Sequence, residues 1–209
     1  MTVDQVPPVE PPIETGDNYK NAYLSPTGFI FIKAEEGFAA EPYDLGDGTL
    51  TTGYGTTSAF RPEEFQSLIP RCTEEEAAKV LGNYTRPSYT LPLFNALISD
   101  GVTVEKMNQA EFDAFGSLTY NSGLGNVMET DIYSMYINGA SKQAIAERWK
   151  TTLITNIHGE EQAGLLLRRE KESKMFLGEP FEMKRISNVT DGGYVEENDG
   201  KGYIPPEYQ

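Results

Sequence analysis

Histidine, cysteine and tryptophan each occur once in the 209 residues, as His158, Cys72 and Trp149. A single cysteine excludes an internal disulfide framework. A single histidine and no Cys-x-x-Cys pair leave no ligand set for a transition metal. A serine or cysteine triad would have to rest on His158 alone, in the loop-like Asn156-Ile157-His158-Gly159, which makes a weak case. Positive charge is also scarce: 17 Lys and Arg stand against 32 Asp and Glu, for a net charge of −15. Nucleic acid is therefore not an expected partner, because phosphate binding needs clustered cations. There is no apolar run of about 18 residues, so no membrane span is expected. The acidic, proline-rich start lacks the basic and apolar regions of a secretory signal. Gly53-Tyr54-Gly55 lacks the lysine and following helix of a phosphate loop. Asp44-Leu45-Gly46-Asp47-Gly48 has the opening of a calcium loop without its spaced third acid and closing glutamate. Neither a metal nor a cofactor is expected.

What is present is a core. Hydrophobic residues make up 38% of the chain and aromatics 11%, enough for one domain of ordinary size with tails. Residues 1–25, with prolines at 7, 8, 11 and 12, read as an extended leader or linker. Residues 26–178 carry helical patterns. Residues 179–209, rich in Gly, Pro and Asp, read as an extension of short strands and turns. Within the middle section Thr73 and Glu76 form a capping box that opens a helix ending near Gly82. Pro87 and Pro92 then break the chain before a short helix over Leu93–Ile98 that stops at Asp100-Gly101. Asn108 caps a helix whose Phe112, Phe115 and Leu118 share a face. A short helix is expected from Glu129 to Tyr136. Ser141 caps the next, which carries Trp149 as a core anchor. A long helix is expected from Glu160 to Leu177, where Arg168-Arg169-Glu170-Lys171-Glu172 read as a solvated face with intrahelical ion pairs.

The chain is organised around residues 31–57. A helix opened by Pro26-Thr27 ends at Glu36, and Gly37 is a natural stop. Pro42 bars a return to helix. Gly and Asp at 44–48 signal a tight turn, and Thr and Tyr over 49–54 favour a strand. A carboxyl at a helix end, beside a hairpin bearing Asp44, Asp47, Thr49 and Thr51, is a plausible place for proton transfer.

These residues resemble a family. Ile32-Lys33-Ala34-Glu35-Glu36-Gly37, Tyr43, Gly48 and Thr51-Thr52-Gly53-Tyr54-Gly55 are similar to the signature of the phage-type lysozymes, the muramidases of tailed-phage endolysins. Glu111 to Gly123 is similar to that family's central helix, and Gly164 to Glu172 to its last. The resemblance covers residues 28–178. It implies an α+β, lysozyme-like fold, with a small hairpin lobe, a mostly helical lobe and a cleft between them. It implies a glycoside hydrolase acting on the β-1,4 bond between N-acetylmuramic acid and N-acetylglucosamine in peptidoglycan.

Carried over by position, Glu36 takes the place of the general acid and Thr51 that of a threonine that helps hold a water. Glu35 is the rival of Glu36, which the resemblance and Gly37 favour. The family's aspartate falls at Leu45, so Asp44 and Asp47 both stand as the second carboxylate. Tyr54 and Asn121 are expected to bind substrate, although Asn121 serves equally as a helix C-cap. Glycoside hydrolysis needs one protonated carboxyl for the leaving oxygen and one ionised carboxylate; a separation of about 6.5–9.5 Å between them implies inversion. Two other readings follow from the displaced aspartate and the appended ends. One is a catalytically inactive wall-binding or virion structural module. The other concerns deployment: host cytoplasm before holin-dependent release, or attachment to phage tail or virion proteins.

Overall fold

Ser25 decides where the first helix starts. In the computed structural model, which describes residues 18–44, 46, 48–155 and 159–183, Ser25 is extended and its hydroxyl accepts from the Gly28 N–H at 3.1 Å. Pro26 follows at the first helical position, where its missing N–H costs nothing. Helix α1 (Pro26–Glu36) then runs until Gly37, whose N–H bonds to the Lys33 carbonyl. The chain turns at once into β1 (Ala39–Asp44), which pairs antiparallel with β2 (Leu50–Gly53); β3 (Thr56–Thr57) pairs with the other edge of β2. Between Ala39 and Tyr43 the β1–β2 register slips, at a stretch where Pro42 has no N–H to donate.

The rest is helical: α2 (Pro62–Leu68), α3 (Glu74–Thr85), α4 (Leu91–Ser99), α5 (Gln109–Ser122), α6 (Leu124–Met128), α7 (Asp131–Ile137), α8 (Lys142–Trp149) and α9 (Ala163–Leu177). The expected caps are present. Thr73 with Glu76, and Asn108 with Glu111, form reciprocal capping boxes, and Ser141 caps α8. The boundaries moved where packing outweighs local signals. Helix α3 does not end near Gly82 but continues to Thr85, because Leu81, Gly82, Tyr84 and Thr85 are buried on one continuous helix. Pro87 is absorbed by a wide turn over Arg86–Thr90, closed by the Leu91 N–H reaching the Arg86 carbonyl five residues back, and Pro92 sits in the first turn of α4. Helix α9 starts at Ala163 rather than Glu160, since Glu161 forms an extended bridge with Thr155. The short α6 carried no periodic signal.

Two cores result. The larger surrounds α5, where every residue from Glu111 to Thr119 is buried. Phe115 packs 4.8 Å from Trp149, and Phe176 lies 5.2 Å from Trp149. The smaller lies under the hairpin and gathers Phe29, Ile32, Tyr54, Leu68, Ala77, Leu81 and Tyr84. Helix α1 feeds both, with Phe31 in the first and Phe29 and Ile32 in the second. Tyr19, Ala22 and Leu24 are buried against these cores, and the Phe181 ring meets Phe31 edge-on at 5.5 Å. The remainder of the leader (residues 1–17) and of the C-terminal extension (residues 184–209) lies outside the described residues, as does His158. No helix among the described residues is long and apolar enough to cross a membrane.

Asp113 locks α1 onto α5. Its carboxylate accepts from the Ser25 N–H at 2.9 Å, from the Ser25 hydroxyl, and from Gln109 Nε2 at 2.8 Å. Residue 28 must be glycine, because a Cβ there would stand 2.6 Å from the Asp113 Cγ. Burial pushes the Asp113 carboxyl up from 3.8 to about 6, against the opposing pull of its hydrogen bonds. The folded protein thus holds this proton more tightly than the unfolded chain. Its contribution to stability is complete below the unfolded value and is lost as pH rises towards about 6, a change of roughly 3 kcal/mol at about 1.4 kcal/mol per pH unit. Asp113→Asn is expected to remove this component. In urea unfolding the wild type should lose roughly 3 kcal/mol more than the variant between about pH 4 and pH 7. Equal pH dependence in both proteins would show that Asp113 does not carry the proton.

Candidate functional site

Glu36 stands at the junction of the two lobes, because the last turn of α1 meets the β2–β3 turn there. Gly55 has φ +81°, and a Cβ on it would lie 3.2 Å from the Glu36 Oε2. Glycine at 55 therefore serves both the turn and the close approach to the carboxylate. The other carboxylate oxygen, Oε1, accepts from Arg168 Nη1 at 2.9 Å; the two side chains are 22% and 6% exposed. Glu35, the sequence rival, pairs instead with Lys171 Nζ at 2.7 Å. It is Glu36 that lines an open cleft of about 380 Å³ with Gly55, Thr57, Phe60, Arg61, Tyr84, Tyr89, Tyr120 and Asn121.

Arg168 belongs to a buried network, and here the reading of residues 168–172 as a solvated face is corrected. Arg168, Arg169 and Glu172 are all buried. Glu172 Oε1 accepts from Ser117 Oγ at 2.6 Å and Arg168 Nε at 3.2 Å; its Oε2 accepts from Arg169 Nη1 at 2.8 Å and Trp149 Nε1 at 3.1 Å. Arg169 continues to the Thr152 carbonyl and to Asn121 Oδ1. The physical reason is that one stripe of α9 faces α5 and α8, and its charges satisfy one another there, while Glu170 and Lys174 stay outside. Burial works to lower the affinity of Arg168 for its proton, but Glu36 and Glu172 outweigh it and the value is raised.

The sheet contributes Gly55 and Thr57 to the cleft lining, whereas Tyr43, Asp44 and Thr51 are not among the cleft-lining residues. Tyr43 and Thr51 are cross-strand partners and share a face; Asp44 and Leu50, one residue on, share the other. The Tyr43 phenol is pushed up by burial and then by the charge of Glu36. Thr51 is 4% exposed, and its Oγ1 has no hydrogen-bond partner among the described residues. A buried hydroxyl in that position has room in its bonding for a water. The Asp44 Oδ1 accepts from the Gly46 N–H at 2.7 Å and the Gly48 N–H at 3.1 Å, so it shapes the hairpin turn. Asp47 lies outside the described residues.

Tyr54 is not brought to the cleft. Its ring is buried against Phe38, with Lys33 above it, and its hydroxyl bonds Glu74 Oε2 at 3.0 Å. Asn121 does face the cleft, and because its oxygen is occupied by Arg169 its NH₂ is the group open to a ligand. Sequence reading missed the aromatic floor. Tyr84 and Tyr120 share a hydroxyl–hydroxyl bond of 3.1 Å, and Tyr89 packs 4.8 Å from Tyr120. Burial, then Tyr84 and Glu36, push the Tyr120 phenol well above its usual range. The signal lay in tyrosines flanking Pro87, within a stretch that read as a break. Among the described residues no His, Cys, Asp and Glu cluster could hold a metal ion.

The model of the phage lysozyme family matches residues 33–172. The chain belongs to the phage lysozyme family. Solved structures agree in fold. The muramidase domain of SpmX from Asticaccaulis excentricus is 26% identical with a TM-score of 0.58, covering 74% of this chain and 97% of that one. An endolysin from Escherichia coli O157:H7 phage FAHEc1 is 26% identical with a TM-score of 0.55, covering 76% and 97%. P22 lysozyme, at 23% identity, a TM-score of 0.57 and coverage of 74% and 97%, shares the fold. No curated protein sequence matches the chain. The matched span of this phage lysozyme family member holds the cleft-lining residues, from Glu36 to Asn121, together with the buried Arg168–Glu172 network.

Proposed function

We propose that this protein is a muramidase that hydrolyses the β-1,4 bond between N-acetylmuramic acid and N-acetylglucosamine in bacterial peptidoglycan. The observation that carries the reading is the Glu36 carboxylate, held on one oxygen by the buried Arg168 and open to the inter-lobe cleft on the other side. In this mechanism Glu36 gives its proton to the leaving glycosidic oxygen. A water held by Thr51 of β2 attacks the sugar, assisted by an ionised aspartate, Asp44 or Asp47. Asn121 donates from its NH₂ to a sugar N-acetyl carbonyl. The test is incubation with purified cell walls, following turbidity and new reducing ends. Reducing ends on muramic acid support the reading; solubilisation without them refutes it.

One observation favours a second reading, a wall-binding module without turnover: Asp44 commits one carboxylate oxygen, Oδ1, to two N–H groups of the hairpin turn. Binding to walls with no new reducing ends would select it.

Thr51→Val separates structure from chemistry at this site. The lost hydroxyl bonds no described residue, so stability should change by less than about 1 kcal/mol. Turnover should fall about 10- to 100-fold, because the water loses its positioning group. Unchanged kcat in urea-stable protein would remove Thr51 from the mechanism.

A further inference from the structure

Arg61 is a guanidinium held at the cleft with no side-chain hydrogen bond to any described residue. It sits just before α2, where its own N–H bonds the Thr57 carbonyl and its carbonyl receives the Phe65 N–H. The guanidinium carbon lies over the Tyr84 ring, 4.0 Å from its centroid, and 5.8 Å from that of Tyr89. Stacking of this kind fixes a planar guanidinium without using its N–H donors. The side chain is only 21% exposed, and its one ion pair among the described residues is with Glu64 at 3.5 Å. No guanidinium hydrogen bond is made to any described residue. Arg168 and Arg169, the buried arginines among the described residues, are bonded through several nitrogens each, and the half-buried Arg86, stacked on Tyr23, still donates to the Asn21 carbonyl. A largely desolvated guanidinium that keeps its N–H groups free beside a cleft is suited to a ligand that accepts in the plane of the fork, which is what a carboxylate does.

Charge bears on this at two ranges. The whole chain carries −15, which disfavours an anionic ligand at long range. Among the described cleft-lining residues, Arg61 is the one cation and Glu36 the one acid. We infer that Arg61 determines specificity for muramic acid over plain N-acetylglucosamine, by binding the carboxylate borne on the 3-O-lactyl side of the muramyl sugar. That carboxylate is either the free lactyl group or one carried by the peptide extending from it. The inference rests on the peptidoglycan reading and names the feature of that substrate which the cleft selects. Phe60, 86% exposed on the same lip, offers an apolar face beside the guanidinium for the sugar ring itself.

The test measures Kd of the full-length protein for three soluble glycans of equal length. These are an uncharged chitin oligosaccharide, a peptide-free peptidoglycan strand and a peptide-bearing one. Turnover is blocked by Glu36→Gln, with Arg61 intact, Arg61→Gln or Arg61→Lys. Arg61→Gln should weaken carboxylate-bearing ligands about 10- to 100-fold, the range expected for a charge-assisted bond, and leave the chitin oligosaccharide within about twofold. Arg61→Lys should fall between, since it keeps the charge but loses the fork. Added salt should weaken the carboxylate arm only when Arg61 is present. Loss confined to the peptide-free arm assigns the free lactyl carboxylate, which the peptide-bearing strand holds as an amide; loss confined to the peptide-bearing arm assigns a peptide carboxylate, and loss in both shows that Arg61 accepts either. Equal weakening of all three glycans would show that Arg61 only supports Tyr84, and no weakening would remove it from recognition; either overturns the inference. Glycans bound and cut by the wild type regardless of Arg61 would leave the muramidase reading standing and this one refuted. A wild type that binds none of the three refutes both.

Discussion

Glu36→Gln is expected to lower wall-clearing activity by about 10³-fold or more while leaving the protein folded, since an amide cannot deliver the proton that general acid catalysis requires. The amide oxygen still accepts from Arg168 Nη1, and Arg168 keeps Glu172 as its second carboxylate. The structural cost should therefore be about 1–2 kcal/mol, through the weaker bond to a charged donor. Turbidity and reducing-end assays give the activity, and urea unfolding with near-UV circular dichroism gives the fold. A variant that clears walls at anything near the wild-type rate would end the assignment of Glu36 as the acid. In the same assay Asp44→Asn is informative beside Asp47→Asn. Asparagine at 44 still accepts the Gly46 and Gly48 N–H groups through its oxygen, so the turn survives and any lost turnover reports lost charge. Whichever of the two substitutions abolishes activity identifies the second carboxylate.

The largest loss of stability is expected from Glu172→Ala. One carboxylate receives Ser117 Oγ, Trp149 Nε1, Arg168 Nε and Arg169 Nη1. Removing it leaves two buried guanidinium groups short of their common anion, and breaking a buried pair in this way costs about 3–5 kcal/mol. That is a large share of the roughly 5–15 kcal/mol that holds a domain together. Glu172→Gln keeps one acceptor oxygen and should lose less. Urea titration at constant pH measures both. Activity should fall with stability even where the protein stays folded, because Arg168, which positions Glu36, loses its own anchor. A change below about 1 kcal/mol for Glu172→Ala would show that the network does not join α9 to α5 energetically.

Several features of this molecule follow from short stretches of sequence, because the forces behind them act over a few residues. Ser25 and Pro26 start α1, Gly37 stops it, and Thr73, Asn108 and Ser141 cap the helices that follow them. The hairpin after Glu36 was legible from Pro42, the Gly and Asp turn, and the threonines beyond. Together with the family resemblance, these place the Glu36 carboxyl beside the Thr51 strand.

Other features could be decided only by the fold. Arg168 meets Glu36 across 132 residues of chain. Nothing local distinguishes the stripe of α9 that carries Arg168, Arg169 and Glu172 from a solvated one, since charged residues at those spacings suit either face. Burial became possible only when α5 supplied Ser117 and α8 supplied Trp149 as partners. Tyr54, in the β2–β3 turn, faces inward because Phe38 packs on its ring and Glu74 at the start of α3 accepts from its hydroxyl. The aromatic floor under Arg61 arose because α3 ran past Gly82, and the wide turn after it swung Tyr89 onto Tyr120. Local sequence determined where elements begin and end, through backbone bonds closed within a turn. Tertiary structure decided which charges are buried and which rings face the cleft, because a desolvated charge or hydroxyl is stable only where a distant segment supplies its partner.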